Sequence, residues 1–166
     1  MRTMRNIALL YQDVNAINPY FSLALFPSEK SIDLTMSMST KVLHTSSLPQ
    51  TICILEKLLP SIFSSSCFND NNFPFIEEVK NTEIGHLFEH ILLEYLCMEK
   101  INKGYADATF RGVTNWNWKE EPLGTFHIIV DISLAERDFI EPALENSIKL
   151  INLILESSVL KEVIYD

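Results

Sequence analysis

Residues 31–39 alternate in character with a period of two: Ile32, Leu34, Met36 and Met38 fall on one side, and Asp33, Thr35, Ser37 and Ser39 on the other. Successive side chains of a strand point to opposite faces, so this segment is expected as a half-buried strand. A second strand is expected at residues 20–26, ended by Pro27 and Ser28. Residues 106–118 alternate again, with Ala108, Phe110, Gly112, Thr114, Trp116 and Trp118 on one side. After the turn-like Glu120-Glu121-Pro122-Leu123-Gly124, residues 125–132 form an apolar run. These last two segments are expected to pair as a hairpin. Residues 7–11 are apolar and short enough for a strand or one helical turn.

Helical spacing appears in three places. Ile52, Leu55, Leu58 and Leu59 follow Leu48-Pro49-Gln50, and Pro60 is expected to end or kink that helix. Residues 77–100 read as one long helix whose apolar faces come from Leu87, Ile91, Leu92, Leu93 and Leu96; Gly85 is the poor helix former inside it, and Asn102-Lys103-Gly104 the expected stop. Residues 138–160 carry Ile140, Leu144, Ile148, Ile151 and Leu155, with Pro142 in the first turn. Residues 64–72, rich in Ser and Asn, read as a loop. The sum is an α+β domain spanning residues 1–166, with helices packed on a mostly antiparallel sheet and a long central helix.

Composition narrows the classes of function. Hydrophobic residues make up 47% of the 166, enough for a sizeable core, and charged residues 21%. A net charge of −9 argues against a nucleic-acid binder, which needs a basic face, and suits a cationic partner such as an Arg- or Lys-rich peptide. Cys53, Cys67 and Cys97 form no CxxC pair and are expected as free thiols in a reducing compartment. The N-terminal apolar run meets Tyr11-Gln12-Asp13 too early for a signal-peptide core, and no stretch approaches the ~20 apolar residues of a membrane span. The protein is expected to be cytoplasmic.

The chemistry-bearing segment is His86-Leu87-Phe88-Glu89-His90. Four residues on a helix amount to a net rotation of about 40° and a rise of ~6 Å, so both imidazoles share a face and can reach one ion. Imidazole nitrogen suits zinc. In this HxxEH order, the inverse of HExxH, Glu89 can take a proton from a zinc-bound water and pass it to a leaving amine. A third protein ligand is required. Glu94 shares the face but lies ~12 Å along the axis from His86, which fits a role orienting His90 better than ligation. Asp131, Glu141 and Glu145 are more distant candidates that fit solvated acids as well. His127, in an apolar strand, is expected as a satisfied core or edge residue, and His44 in a loop. Trp116 and Trp118 are expected in the core rather than as a platform for Arg side chains, and Arg111 as a solvated charge.

From Thr82 to Glu94 the chain resembles the N-terminal domain of cyanophycin synthetase, which carries a similar Gly-His-x-x-Glu-His-x-x-Leu-Glu pattern. The resemblance extends more weakly through Leu58-Leu59-Pro60, Gly104-Tyr105 and residues 125–131. It implies a metallopeptidase-like zinc site with His86 and His90 as ligands, Glu89 as base and Glu94 as the matching acid. In that family such a site is thought to cut the polymer, an aspartate backbone bearing arginines, into primers. The synthetase also carries ATP-using ligase domains, and no glycine-rich phosphate loop occurs among this chain's four glycines, so it is not expected to be the polymerising enzyme.

Two functions of different classes follow from these readings. One is a zinc-dependent, metallopeptidase-like hydrolase of an amide bond in an Arg-rich or cyanophycin-like polymer. The other is a non-catalytic module that binds such a polymer or a partner ligase.

Overall fold

A computed structural model describes residues 18–164, with side chains to Ser158; the apolar segment at residues 7–11 lies outside them. The alternating segments form strands β1 (Phe21–Pro27), β2 (Ser31–Met38), β3 (Arg111–Asn115) and β4 (Thr125–Asp131). Among the described residues all pairings are antiparallel and the order is β1-β2-β4-β3, so β1 and β3 are the edges. In β2, Ile32, Leu34 and Met36 are buried, as the period of two requires. Gly124, at φ +87 in the hairpin, occupies a conformation that residues with a Cβ rarely adopt.

The helices are α1 (Thr51–Leu58), α2 (Phe75–Glu78), α3 (Ile84–Asn102) and α4 (Ile140–Ile164), joined in places by short 3-10 segments at Pro60–Ser64, Val79–Asn81 and Leu134–Phe139. Helix α3 lies on β3 and β4, and α4 packs against α3. Phe88, Ile91, Leu92 and Leu96 of α3 share one core with Phe126, Ile128 and Val130 of β4 and with Ile151 and Ile154 of α4. Burial of each such side chain stabilises by about 1.5–3 kcal/mol. Gly85 has a packing reason: a Cβ there would come within 2.3 Å of the Phe126 ring, so its absence lets the start of α3 sit directly on β4. The fold is α+β, as expected.

Three expectations are corrected. The long helix does not begin at Glu77; residues 75–81 form the separate α2 and a 3-10 segment, and the chain is extended at Thr82 and Glu83 before α3 begins. The cause is a non-local pairing. Thr82 donates its N–H to Thr45 Oγ1 (2.9 Å) and accepts the Thr45 N–H (2.8 Å), and Ile84 donates to the Leu43 carbonyl (2.9 Å). His44 and Glu83 form an isolated antiparallel bridge. The second correction is Leu58, which is exposed, while Leu55 within α1 and Leu59 just after it are buried. The third is that the strand within 106–118 is limited to the five residues of β3.

Candidate metal centre

The break at Thr82–Glu83 places His86 in the first turn of α3 and His90 one turn later. Their Nε2 atoms lie 3.1 Å apart, with ring centroids 4.8 Å apart and planes at 74°. Each Nδ1 meets a hydroxyl: Thr82 Oγ1 at 2.8 Å from His86, and Ser65 Oγ at 3.2 Å from His90. A hydroxyl has one proton to give. That of Ser65 goes to the Ile62 carbonyl (2.6 Å), so the His90 Nδ1–H donates to Ser65. Thr82 Oγ1 has carboxylate oxygens of Glu78 and Glu83 at 3.4 Å as acceptors, so the His86 Nδ1–H donates to Thr82. Both ring protons are then on Nδ1, a tautomer assigned from the network. Two Nε2 lone pairs face each other at 3.1 Å, an arrangement that favours a cation between them.

A third donor adjoins them. Cys67 Sγ is 3.7 Å from His86 Nε2, and the sulfur and the two imidazole nitrogens all lie within 4.8 Å of one another. Cys67 is held by its own loop. Asn69 donates from Nδ2 to Cys67 Sγ (3.4 Å) and to the Phe73 carbonyl (2.8 Å), while its Oδ1 accepts the N–H groups of Asn71 and Phe73. Burial pushes the Cys67 thiol pKa up, and the Asn69 bond opposes that. One sulfur and two imidazole nitrogens form a donor set that suits zinc. Two nitrogens about 2.0–2.1 Å from a tetrahedral zinc lie about 3.3 Å apart, close to the separation seen here. The residues present fit the ion that the HxxEH order implies.

The surroundings keep these groups neutral. Phe75, fully buried, stacks on the His90 ring at 4.1 Å and 16°. Burial drives the His90 pKa down to about 3, with His86 adding to the effect. Burial also lowers His86, against a smaller opposing pull from Glu83.

Glu89, 4% exposed, points from α3 to β3. Thr114 Oγ1 donates to its Oε2 at 3.2 Å, and the same oxygen is 3.9 Å from His86 Nε2. Burial raises its pKa to about 7, with the Thr114 bond acting the other way. Gly112 makes this approach possible, since a Cβ there would lie 2.9 Å from Glu89 Oε1. A carboxyl that exchanges its proton near neutrality, next to a cluster of metal donors, has the properties of a general base.

The fold therefore brings His86, Glu89 and His90 together. Glu94 is a turn further along α3, outside the converging donor group, and its charge acts with burial to raise the Cys97 thiol. Asp131 and Glu141 are exposed, and Glu145 pairs with Lys149 at 2.8 Å. His127 pairs with Glu121 (2.7 Å) and His44 lies 3.8 Å from Glu83. Trp118 packs on Phe126 and donates Nε1–H to the Thr125 carbonyl (2.9 Å), whereas Trp116 is 38% exposed. Cys67, Ser65, Asn69 and Thr114 were not singled out for the site from sequence. They come from a loop and a strand remote from the motif, and no spacing rule links them to it.

Among the described residues, no helix is long and apolar enough to cross a membrane. Comparison with curated proteins found no match. Residues 31–155 match the family model described as the cyanophycin synthase-like N-terminal domain.

Proposed function

The chain belongs to the cyanophycin synthase-like N-terminal domain family, and on that premise we propose that it is a zinc-dependent hydrolase of an amide bond in a cyanophycin-like polymer. The observation that carries this reading is the pair of facing Nε2 lone pairs at 3.1 Å, with the Cys67 sulfur beside them and the Glu89 carboxylate 3.9 Å from His86. Cys67, His86 and His90 would hold the metal, with Thr82 and Ser65 fixing the two imidazoles by their Nδ1 protons. Zinc in that place supplies a Lewis acid for the amide carbonyl and a bound water acidic enough to be a nucleophile near neutral pH.

The work of this chain's residues is proton transfer and orientation. In the hydrolysis a water oxygen joins the carbonyl carbon and the carbon–nitrogen bond breaks. Glu89 accepts a proton from that water and returns it to the departing nitrogen. Thr114 holds Glu89 on the site side, the Phe75 ring stacks on His90, and burial keeps both imidazoles neutral and able to ligate. Glu78 and Glu83 both approach Thr82 Oγ1, the partner of His86 Nδ1, and place carboxylates by the site, which suits arginine-bearing substrates.

The test is elemental analysis of the purified protein, followed by incubation of the zinc-loaded protein with an arginine-bearing polyaspartate. One zinc per chain and release of shorter chains are expected. A protein purified without stoichiometric metal and inert after zinc loading would sink the proposal. Binding of the polymer without cleavage would point instead to the non-catalytic module.

A further inference from the structure

Strand β3 is an edge of the sheet, and it is the strand that Glu89 touches. Which of its main-chain groups are free follows from register. In an antiparallel pair, directly opposed residues alternate between bonded and non-bonded. Met38 donates its N–H to the Gly124 carbonyl (3.0 Å), and Ile132 donates to Lys30 (3.0 Å), so even-numbered residues of β4 bond to β2. The odd-numbered residues of β4 then face β3, where their partners are Arg111, Val113 and Asn115. The main-chain N–H and C=O groups of Gly112 and Thr114 are directed to the open edge. Among the described residues no backbone bond reaches them there.

Gly112 and Thr114 are also the two residues of β3 against Glu89. Thr114 donates its hydroxyl to Oε2, and the bare Cα of Gly112 lets the main chain approach Oε1. One pair of residues thus directs outward peptide groups that no described residue bonds, and touches the candidate base on the core face. An extended chain added there would run ~4.8 Å from β3, beside Glu89.

We propose that the open edge of β3 takes the main chain of an extended polyamide substrate as an added strand, with its hydrogen bonds made to Gly112 and Thr114. The substrate class is then set by a regular peptide backbone, with side chains read separately. This rests on the hydrolase reading for its occupant, and its test is made by binding so that the two can fail apart.

The probe is a polyaspartate oligomer bearing arginine on each side chain, added to the zinc-loaded full chain carrying Glu89→Gln. Residue-resolved hydrogen exchange should show the Gly112 and Thr114 amides slowed at least tenfold, with Val113 unchanged because β4 already bonds it. Oligomers N-methylated at alternate main-chain nitrogens should bind at least tenfold more weakly in one of the two alternations. The inference is overturned if the oligomer binds, or is cleaved by the unmodified protein, while both amides exchange as before. It is equally overturned if both amides are already protected without ligand. Protection of Gly112 and Thr114 in a protein that never cleaves the oligomer would support strand addition and reject hydrolysis.

Discussion

The four histidines form two contrasting pairs. His44 and His127 are about two-fifths exposed and each stands beside a carboxylate, Glu83 at 3.8 Å and Glu121 at 2.7 Å. His86 and His90 are largely buried, face each other through Nε2, and have their Nδ1 protons taken by hydroxyls. A histidine next to an acid is common to both pairs. What separates them is burial together with a committed Nδ1, which fixes the lone pair on the other nitrogen and turns it towards the neighbouring ring. The carboxylate plays different parts as well. Glu121 is a half-buried hydrogen-bond partner of His127, whereas Glu89 is buried with its pKa raised to about 7.

The contrast can be broken most decisively at Glu89. Glu89→Gln should lower polymer hydrolysis by about 10²–10⁴-fold while zinc content stays at one per chain; unchanged turnover would remove Glu89 from the chemistry. Next comes a paired substitution. His90→Ala should reduce bound zinc to background, and His127→Ala should leave it unaltered, as read by elemental analysis. In the same experiment with cobalt in place of zinc, Cys67→Ser should eliminate the sulfur-to-metal absorption band. A smaller effect is expected where the imidazoles are held. Ser65→Ala and Thr82→Val should each weaken zinc binding about 10–100-fold in a competition titration against a chelator.

The smallest effect concerns the metal-free protein. His90 has a depressed folded pKa, so its contribution to stability is present above about pH 6.5 and is lost as pH falls towards 3. Glu89 has a raised one, so its contribution is present below about pH 4.5 and is lost as pH rises through 7. Between 4.5 and 6.5 the two slopes oppose each other. Chelator-treated Glu89→Gln should therefore gain stability relative to the unmodified chain as pH is raised across that window, in denaturant titrations at several pH values.

Local patterns made much of the fold readable. The alternation of Ile32, Leu34 and Met36 gave β2 its buried face, and the spacing of His86 and His90 put both imidazoles on one side of a helix. Failures occurred where a distant contact decided the outcome. Helical spacing continued upstream of Ile84, but Thr45 and Leu43 hold residues 82–84 by hydrogen bonds across a long sequence gap. Cys67 sits in a segment whose composition says only loop; its meaning depends on where Asn69 and the start of α3 place it. Gly85 read as a weakness of the helix until Phe126 stood against it. Leu58 shows the converse limit, an apolar residue at the right spacing that stays 52% exposed among the described residues.

The extended pair Thr82–Glu83 also bears on when the centre forms during folding. The first turn of α3 is fixed by hydrogen bonds to residues 43 and 45 rather than by a side-chain cap of its own. Contacts of that sequence separation close late, because loop entropy must be overcome before they form. His86 should consequently find its place only after the 43–45 segment docks, and lose it first when that segment peels away. The centre would then behave as a latch on a small cooperative unit, opened by a local fluctuation well short of global unfolding.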